Sequence, residues 1–234
     1  MKHFFLSAIM GLPLMATVIV NDPTMAASDY SGATAAFPIL TGGTASNASF
    51  AAGGNTGAYR STTFNYSPNV ISGAQAVGEL NVTNVWNFAT QGVLNTIAFR
   101  IDDQLANSPA GSSNAIFFGV RQNGITYYNA FFSSLTNAWQ THSRTGLTQG
   151  SFGSTFTVGA ASPNFGATTG FLEVGYFASA VANPGGGSAT WNTDNFCAVG
   201  NGSLNECSNA PEPATMAMLG SALLVLGALR RMRS

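Results

Sequence analysis

The chain has 234 residues, a formal net charge of −1 and only 7% charged side chains, whereas about a quarter of the residues of an ordinary soluble domain are charged. Its only lysine is Lys2, and the basic side chains between the two ends are Arg60, Arg100, Arg121 and Arg144. Nucleic-acid binding requires a basic surface that neutralises phosphates, so this composition excludes a nucleic-acid partner. Asn, Ser, Thr, Gln and Gly must supply the solubility, as in secreted β-rich proteins.

Residues 1–27 have the layout of a secretory signal peptide. A basic start is followed by the apolar run of residues 4–20 and by the small residues Ala26 and Ala27. This pattern predicts export by the Sec machinery and a cut after Ala26 or Ala27. An uncleaved N-terminal membrane anchor is the alternative, which Pro13 in the middle of the apolar run disfavours.

The body of the chain is predicted to be a single all-β domain. Residues 28–63 are rich in small and polar residues and predict either a loose N-terminal arm or short edge strands. From residue 64 to residue 200, alternating apolar and polar runs recur about every ten residues between Gly, Asn and Pro, which is typical of a β-sandwich. The predicted strands are residues 76–84, 93–101, 115–122, 125–132, 138–144, 154–158, 170–177 and 189–199. No helix is predicted in the body, and residues 201–210 form a linker.

The sharpest local prediction is a hairpin at Asn123-Gly124. This pair favours a two-residue type I′ turn, because both positions require positive φ. The register then pairs Gln122 with Ile125 and Val120 with Tyr127. The predicted core face carries Ile116, Phe118, Val120, Ile125, Tyr127 and Phe131, and the opposite face carries Phe117, Gly119, Arg121, Thr126, Tyr128 and Ala130.

The second half of the body resembles the jelly-roll sandwiches of concanavalin-like and carbohydrate-binding modules. The resemblance rests on successive strand patterns that end in a strand containing Asp194-Asn195-Phe196. It implies an antiparallel jelly-roll-like β-sandwich over residues 64–200.

Several aromatic side chains could bind sugars by stacking on the apolar faces of sugar rings. The candidate ligand-binding residues are Tyr128, Arg121, Trp139 and Trp191, with Tyr128 and Arg121 expected as an exposed pair. The alternative is that these rings belong to the core, as most aromatic residues of a sandwich do.

Three carboxylates, Asp102, Asp103 and Asp194, are candidates for a structural calcium site, because calcium prefers oxygen ligands. The alternative for Asp102 and Asp103 is a loop cap at the end of a strand. The sequence predicts no other cofactor.

Two cysteines lie close together, Cys197 at the end of the last predicted strand and Cys207 after it, and they are expected to form a disulfide outside the cell. A zinc site requires about four ligands, and the nearest histidine is His142, so a metal site is not expected there.

The sequence predicts no enzyme. Glu79 and Glu173 could both face a concave sheet, but no feature marks them as the carboxylate pair of a glycosidase. The hydrolase, metalloprotease and phosphate-loop motifs are absent from the sequence.

The C-terminus contains an apolar run, residues 214–229, that is followed by Arg230, Arg231 and Arg233. As a helix this run would span roughly 24 Å, somewhat less than a hydrocarbon core of about 30 Å. The arginines can reach the headgroup region and place the tail in the cytoplasm. A transmembrane helix is therefore predicted, with a C-terminal core helix as the alternative.

Residues 211–234 begin with Pro211-Glu212-Pro213 and resemble the PEP-CTERM sorting domain of Gram-negative bacteria. The resemblance covers about a tenth of the chain and is carried by the box, the apolar run and the arginines, in that order. It implies recognition by an exosortase, cleavage near the box, and transfer of the body from the inner membrane to the envelope or extracellular polymer. Such proteins accompany exopolysaccharide production and biofilm.

Together these features predict an exported surface or matrix protein that contacts carbohydrate. The alternatives are a purely structural surface protein without specific glycan binding and a glycan-degrading enzyme.

Overall fold

A computed structural model describes residues 17–35, 43–66, 74–108, 114–131, 136–153, 162–181 and 185–208. Within these ranges the chain forms eleven strands: β1 (Thr17–Asp22), β2 (Tyr30–Ala35), β3 (Gly43–Phe50), β4 (Tyr59–Tyr66), β5 (Ala74–Asn87), β6 (Ile97–Asn107), β7 (Asn114–Gln122), β8 (Ile125–Phe131), β9 (Gln140–Leu147), β10 (Phe171–Val181) and β11 (Gly187–Gly200). The helical elements of the same ranges are the single-turn helices α1 (Phe88–Gln91) and α2 (Asn205–Ser208) and 3₁₀ turns at Ala27–Asp29 and Gln149–Ser151.

The strands form two antiparallel sheets. The first has the order β3-β4-β11-β6-β9, with β1 also paired to β11, and the second has the order β2-β5-β10-β7-β8. From β4 to β11 the chain changes sheet at every connection except the β7–β8 hairpin. This path is that of a jelly roll, so the predicted antiparallel sandwich is confirmed.

The two ends of the body extend this arrangement. Residues 28–63, predicted as an arm or as edge strands, contain β2 and β3, which lie at the edges of the two sheets, and most of β4. Residues 17–22, assigned by sequence to the signal peptide, form β1.

Three predicted features lie outside the described ranges. They are the first sixteen residues, the strand at residues 154–158, and the sorting segment with its transmembrane helix at 214–229. No helix within those ranges combines the length and apolar character needed to cross a membrane.

The hairpin prediction is confirmed. Asn123 and Gly124 have φ angles of 53° and 79°, and β7 pairs with β8 in the predicted register, with Gln122 opposite Ile125 and Val120 opposite Tyr127. Of the predicted core face, Ile116, Phe118, Val120 and Tyr127 are buried. Ile125, the first residue after the turn, is exposed.

The core lies between the two sheets and is largely aromatic. Phe99 of β6 stacks on Phe118 of β7 with 4.9 Å between ring centroids, and Phe196 of β11 packs on the other side of Phe99. A second buried cluster includes Phe64 and Trp191. These contacts join every second residue of facing strands, as the alternation in the sequence predicts.

Candidate functional site

Two of the four predicted ligand-binding residues are buried, which corrects the sequence interpretation. Trp191 is 0% exposed and packs between the sheets with Phe64 and Leu105. Tyr128 is 6% exposed and lies edge-on to Phe177, with 4.7 Å between ring centroids. Burial raises the pKa of Tyr128 to about 12. Neither ring presents a free face on which a ligand could stack.

Trp139 is half-buried in a surface aromatic cluster and is not brought together with Arg121. Its ring meets Tyr59 edge-on at 6.2 Å, and Tyr59 stacks on Phe50 at 4.8 Å. These rings lie at one end of the first sheet, whereas Arg121 belongs to β7 of the second sheet. Tyr59 therefore covers part of the Trp139 ring.

Arg121 lies instead in a groove of about 650 Å³ on the outer face of the second sheet. Three elements form it: the middle of β5, the β7–β8 turn and the beginning of β10. The groove is lined by Val82, Val85, Arg121, Asn123, Gly124, Gly170, Phe171 and Glu173. Its volume falls within the range of ligand pockets, roughly 300–1,000 Å³.

A bulge in β5 forms one wall of the groove. Asn81 of β5 pairs with Val174 of β10, but the next pair is Trp86 with Leu172, so residues 82–85 leave the ladder. The side chain of Asn81 holds the bulge by accepting a hydrogen bond from the Asn84 N–H at 2.7 Å. As a result Val82 is exposed on the groove side, consistent with the use of bulges to re-aim side chains near binding sites.

An ion pair forms the polar floor of the groove. Arg121 and Glu173 are directly opposite in the β7–β10 ladder, and the guanidinium donates from Nε to Oε2 and from Nη2 to Oε1, the latter at 2.9 Å. Both side chains are partly exposed. The hydrogen bond to Glu173 raises the pKa of Arg121, so the floor carries two fixed, opposite charges and little net charge.

Phe171 provides the apolar surface beside this floor. It is 56% exposed, the largest exposed fraction of any large apolar side chain in the described part of the chain. It follows Gly170, whose φ is 87°, and alternates with the buried Leu172, so it lies on the same face as Glu173. The sequence interpretation missed Phe171, although this alternation could have identified an aromatic ring on a polar face.

The three predicted calcium ligands do not form one site. Asp102 and Asp194 are cross-strand neighbours on the outer face of the first sheet, whereas Asp103 points the opposite way, with Oδ1 2.8 Å from His142 Nε2. Adjacent residues of a strand face opposite sides of the sheet. Within the described ranges no group of three His, Cys, Asp or Glu residues is placed to bind a metal.

The carboxylates of Asp102 and Asp194 accept hydrogen bonds from neutral donors. Asp102 Oδ2 accepts from the amides of Asn55 and Asn195 at 2.8 and 2.7 Å, and Asp194 Oδ2 accepts from the Thr56 N–H at 3.0 Å. Burial raises the pKa of Asp194, while the backbone donors of Thr56 and Asn195 act against it. These hydrogen bonds fix the β3–β4 loop onto the sheet.

Glu79 and Glu173 do not share a cleft. Glu79 is fully buried between the sheets, where its Oε1 lies 2.6 Å from Arg60 Nη2. Glu173 faces outward in the groove. The two carboxylates therefore cannot flank one glycosidic bond.

Cys197 and Cys207 are joined by a disulfide. It ties α2 to the end of β11 and lies in a small apolar cluster with Val199 and Leu204.

Residues 209–233 match the PEP-CTERM protein-sorting motif. The chain carries this sorting signal. It indicates an exported protein that an exosortase processes and sorts to the cell envelope. The match covers the predicted box at Pro211, Glu212 and Pro213 and the arginines Arg230, Arg231 and Arg233. No curated protein matches the sequence.

The sandwich is similar to several solved structures of low sequence identity. The family 11 carbohydrate-binding module of Clostridium thermocellum, in complex with a β-1,3-1,4-mixed-linked tetrasaccharide, is 12% identical over 78% of this chain and 94% of its own, with a TM-score of 0.45. The xylan-binding domain of Paenibacillus barcinonensis Xyn10C is 12% identical over 81% of this chain and 95% of its own, at 0.40. A Stig cyclase of Fischerella is 11% identical over 81% of this chain and all of its own, at 0.43.

Proposed function

We propose that the sandwich binds polysaccharide in the groove beside Phe171. The observation that carries the proposal is the exposed Phe171 ring next to the Arg121–Glu173 pair in one groove. A pyranose ring has an apolar C–H face and a rim of hydroxyl groups. The phenyl ring can cover the apolar face, and the polar groups of Arg121, Glu173 and Asn123 can bind the hydroxyl groups.

The charge of the groove favours neutral or weakly charged sugars. Among the described residues that line it, the charged side chains are Arg121 and Glu173, which neutralise each other, and the whole chain has a net charge of −1. A strongly anionic polymer would require an excess of positive charge, and the groove provides none.

The groove favours binding over hydrolysis. Glycosidases use two carboxylates about 5–10 Å apart, one of them available as an acid. Among the described residues, the groove lining contains one carboxylate, Glu173, and both of its oxygens accept hydrogen bonds from Arg121. We therefore infer a non-catalytic protein.

The sorting motif supplies the cellular setting of the proposal. In it, the Sec machinery exports the chain, the apolar run at 214–229 holds it in the inner membrane of a Gram-negative bacterium with the body in the periplasm, and the exosortase releases it to the envelope or matrix. The body then contacts exopolysaccharide and contributes to biofilm. The resemblance to exosortase substrates supports these steps.

The test compares Phe171→Ala with Phe50→Ala. Both remove an exposed phenyl ring, 56% and 43% exposed respectively, but Phe50 lies on the other sheet. Affinity electrophoresis uses soluble β-glucan, xylan, mannan and the polymer extracted from the source cells. We expect Phe171→Ala to weaken binding about tenfold, equivalent to ~1.4 kcal/mol, and Phe50→Ala to leave it unchanged.

Equal effects of the two substitutions would place the site elsewhere. If the wild-type protein binds none of these polymers while deletion of its gene reduces cell aggregation, the structural role without glycan binding is favoured instead.

A further inference from the structure

The first described residues are an integral part of the sandwich. β1 pairs with the second half of β11, from Thr17 opposite Gly200 to Asp22 opposite Phe196. The first half of β11 pairs with β4, from Gly187 to Thr193. β1 therefore continues the row that β4 begins, and β11 has a neighbour on each side along most of its length.

Side chains of this segment also fill the core. Ile19, Val20 and Met25 are buried in the main cluster, with Met25 fully inaccessible. The hydroxyl of Tyr30 donates to the Met25 sulfur at 3.5 Å, and Ser49 Oγ donates to the Met25 carbonyl at 3.0 Å. Removal of Met25 would leave a cavity, and the buried Tyr30 hydroxyl and the exposed Ser49 hydroxyl would lose these acceptors.

The turn after β1 is equally well defined. Asp22 Oδ1 accepts hydrogen bonds from the N–H and hydroxyl of Thr24 at 2.9 and 2.8 Å and from the Met25 N–H at 2.8 Å. The Asn21 amide donates to the Cys207 carbonyl at 3.0 Å, which links β1 to the disulfide-bonded C-terminal turn. This pattern is that of a folded domain and not of a segment that is discarded.

A cut after Ala26 or Ala27 would remove all of these contacts. It would also turn residues 196–200 of β11 into an open sheet edge, which invites pairing with other chains. A shorter leader avoids both costs. Residues 4–15 are an apolar run of twelve residues, within the roughly 7–15 of a signal-peptide core. Ala16 follows directly and supplies the small residue before the cut, with Leu14 at the third position before it.

We propose that the signal peptidase cuts between Ala16 and Thr17, so that the mature protein begins with β1. The cut is hydrolysis of that one peptide bond, in which water supplies a hydroxyl to the Ala16 carbonyl carbon and a proton to the Thr17 amine. The inference does not depend on polysaccharide binding, because the N-terminus is read without any ligand.

The test is N-terminal sequencing and intact mass of the exported full-length protein, with Ala16→Leu and Ala26→Leu as matched variants. We expect the wild-type and Ala26→Leu proteins to begin at Thr17. We expect Ala16→Leu to lose this processed form, because leucine is too large for the position before the cut. Any other wild-type N-terminus overturns the proposal, including an uncut Met1 or a start at Ala27 or Ser28. Equal processing of the two variants does so as well.

Discussion

Arg60 and Glu79 place opposite charges between the two sheets, with Nη2 and Oε1 2.6 Å apart. The guanidinium also donates from Nη1 to Ser49 Oγ at 2.8 Å and lies over the Tyr30 ring at 5.2 Å. Burial raises the pKa of Glu79, and the hydrogen bond and charge of Arg60 act against this shift. Such a pair is costly to bury, but it is costlier still to leave one partner alone.

Glu79→Gln tests this interior pair. It keeps the side-chain shape but leaves the Arg60 charge uncompensated, so we expect a loss of about 3–5 kcal/mol in the free energy of unfolding, measured with urea. Glu173→Gln is the matched control, since the same change at the partly exposed pair with Arg121 should cost about 1 kcal/mol or less. Equal losses for the two variants would contradict the interior role of Glu79.

At the scale of elements, the disulfide and β1 secure the last strand. The bridge closes a ten-residue separation between Cys197 and Cys207, and Asn21 of β1 donates to the Cys207 carbonyl. The sorting motif begins at residue 209, immediately after α2. The disulfide and this hydrogen bond therefore hold α2, the last described element before the sorting signal, against β11 and β1.

Cys207→Ser should lower the free energy of unfolding by roughly 2–3 kcal/mol, because the loop is no longer closed in the unfolded chain. Urea denaturation of the wild-type protein with and without reductant provides the control. Reductant should destabilise the wild type to the level of Cys207→Ser and leave that variant unchanged. A wild type that is insensitive to reductant once its thiols titrate as free would refute the contribution of the bridge.

Local patterns predicted some elements and missed others for physical reasons. The turn at Asn123-Gly124 follows from two adjacent residues that tolerate positive φ, so the sequence alone determines its register. β1 was missed because the apolar run of a leader and a buried strand share one composition. The bulge at residues 82–85 was missed because a bulge depends on the partner strand and has no signature in β5 alone.

The same limit applies to the candidate site. Arg121 was selected correctly for the outer face, because alternation from the hairpin determines that side. Whether Trp191 or Phe171 is exposed depends on which face of β11 or β10 the opposite sheet covers. That information lies in contacts between residues distant in sequence, so the site could be predicted only in part.

At the scale of the whole molecule, a charge-poor sandwich carries its groove on the outer face of the second sheet and its first and last described segments on the first sheet. β1 and the disulfide-bonded α2 both lie against β11, whereas Arg121, Phe171 and Glu173 belong to β7 and β10. The groove and the last described segment of the chain therefore lie on different sheets.

The most direct measurement is amide hydrogen exchange of the mature protein with and without the polysaccharide that it binds in electrophoresis. Binding in the groove predicts slower exchange in the β5 bulge (residues 82–85), the β7–β8 turn (residues 121–124) and the beginning of β10 (residues 171–173), with no change around Phe50 and Trp139. Binding without protection in these segments, or with protection confined to the first sheet, would contradict it.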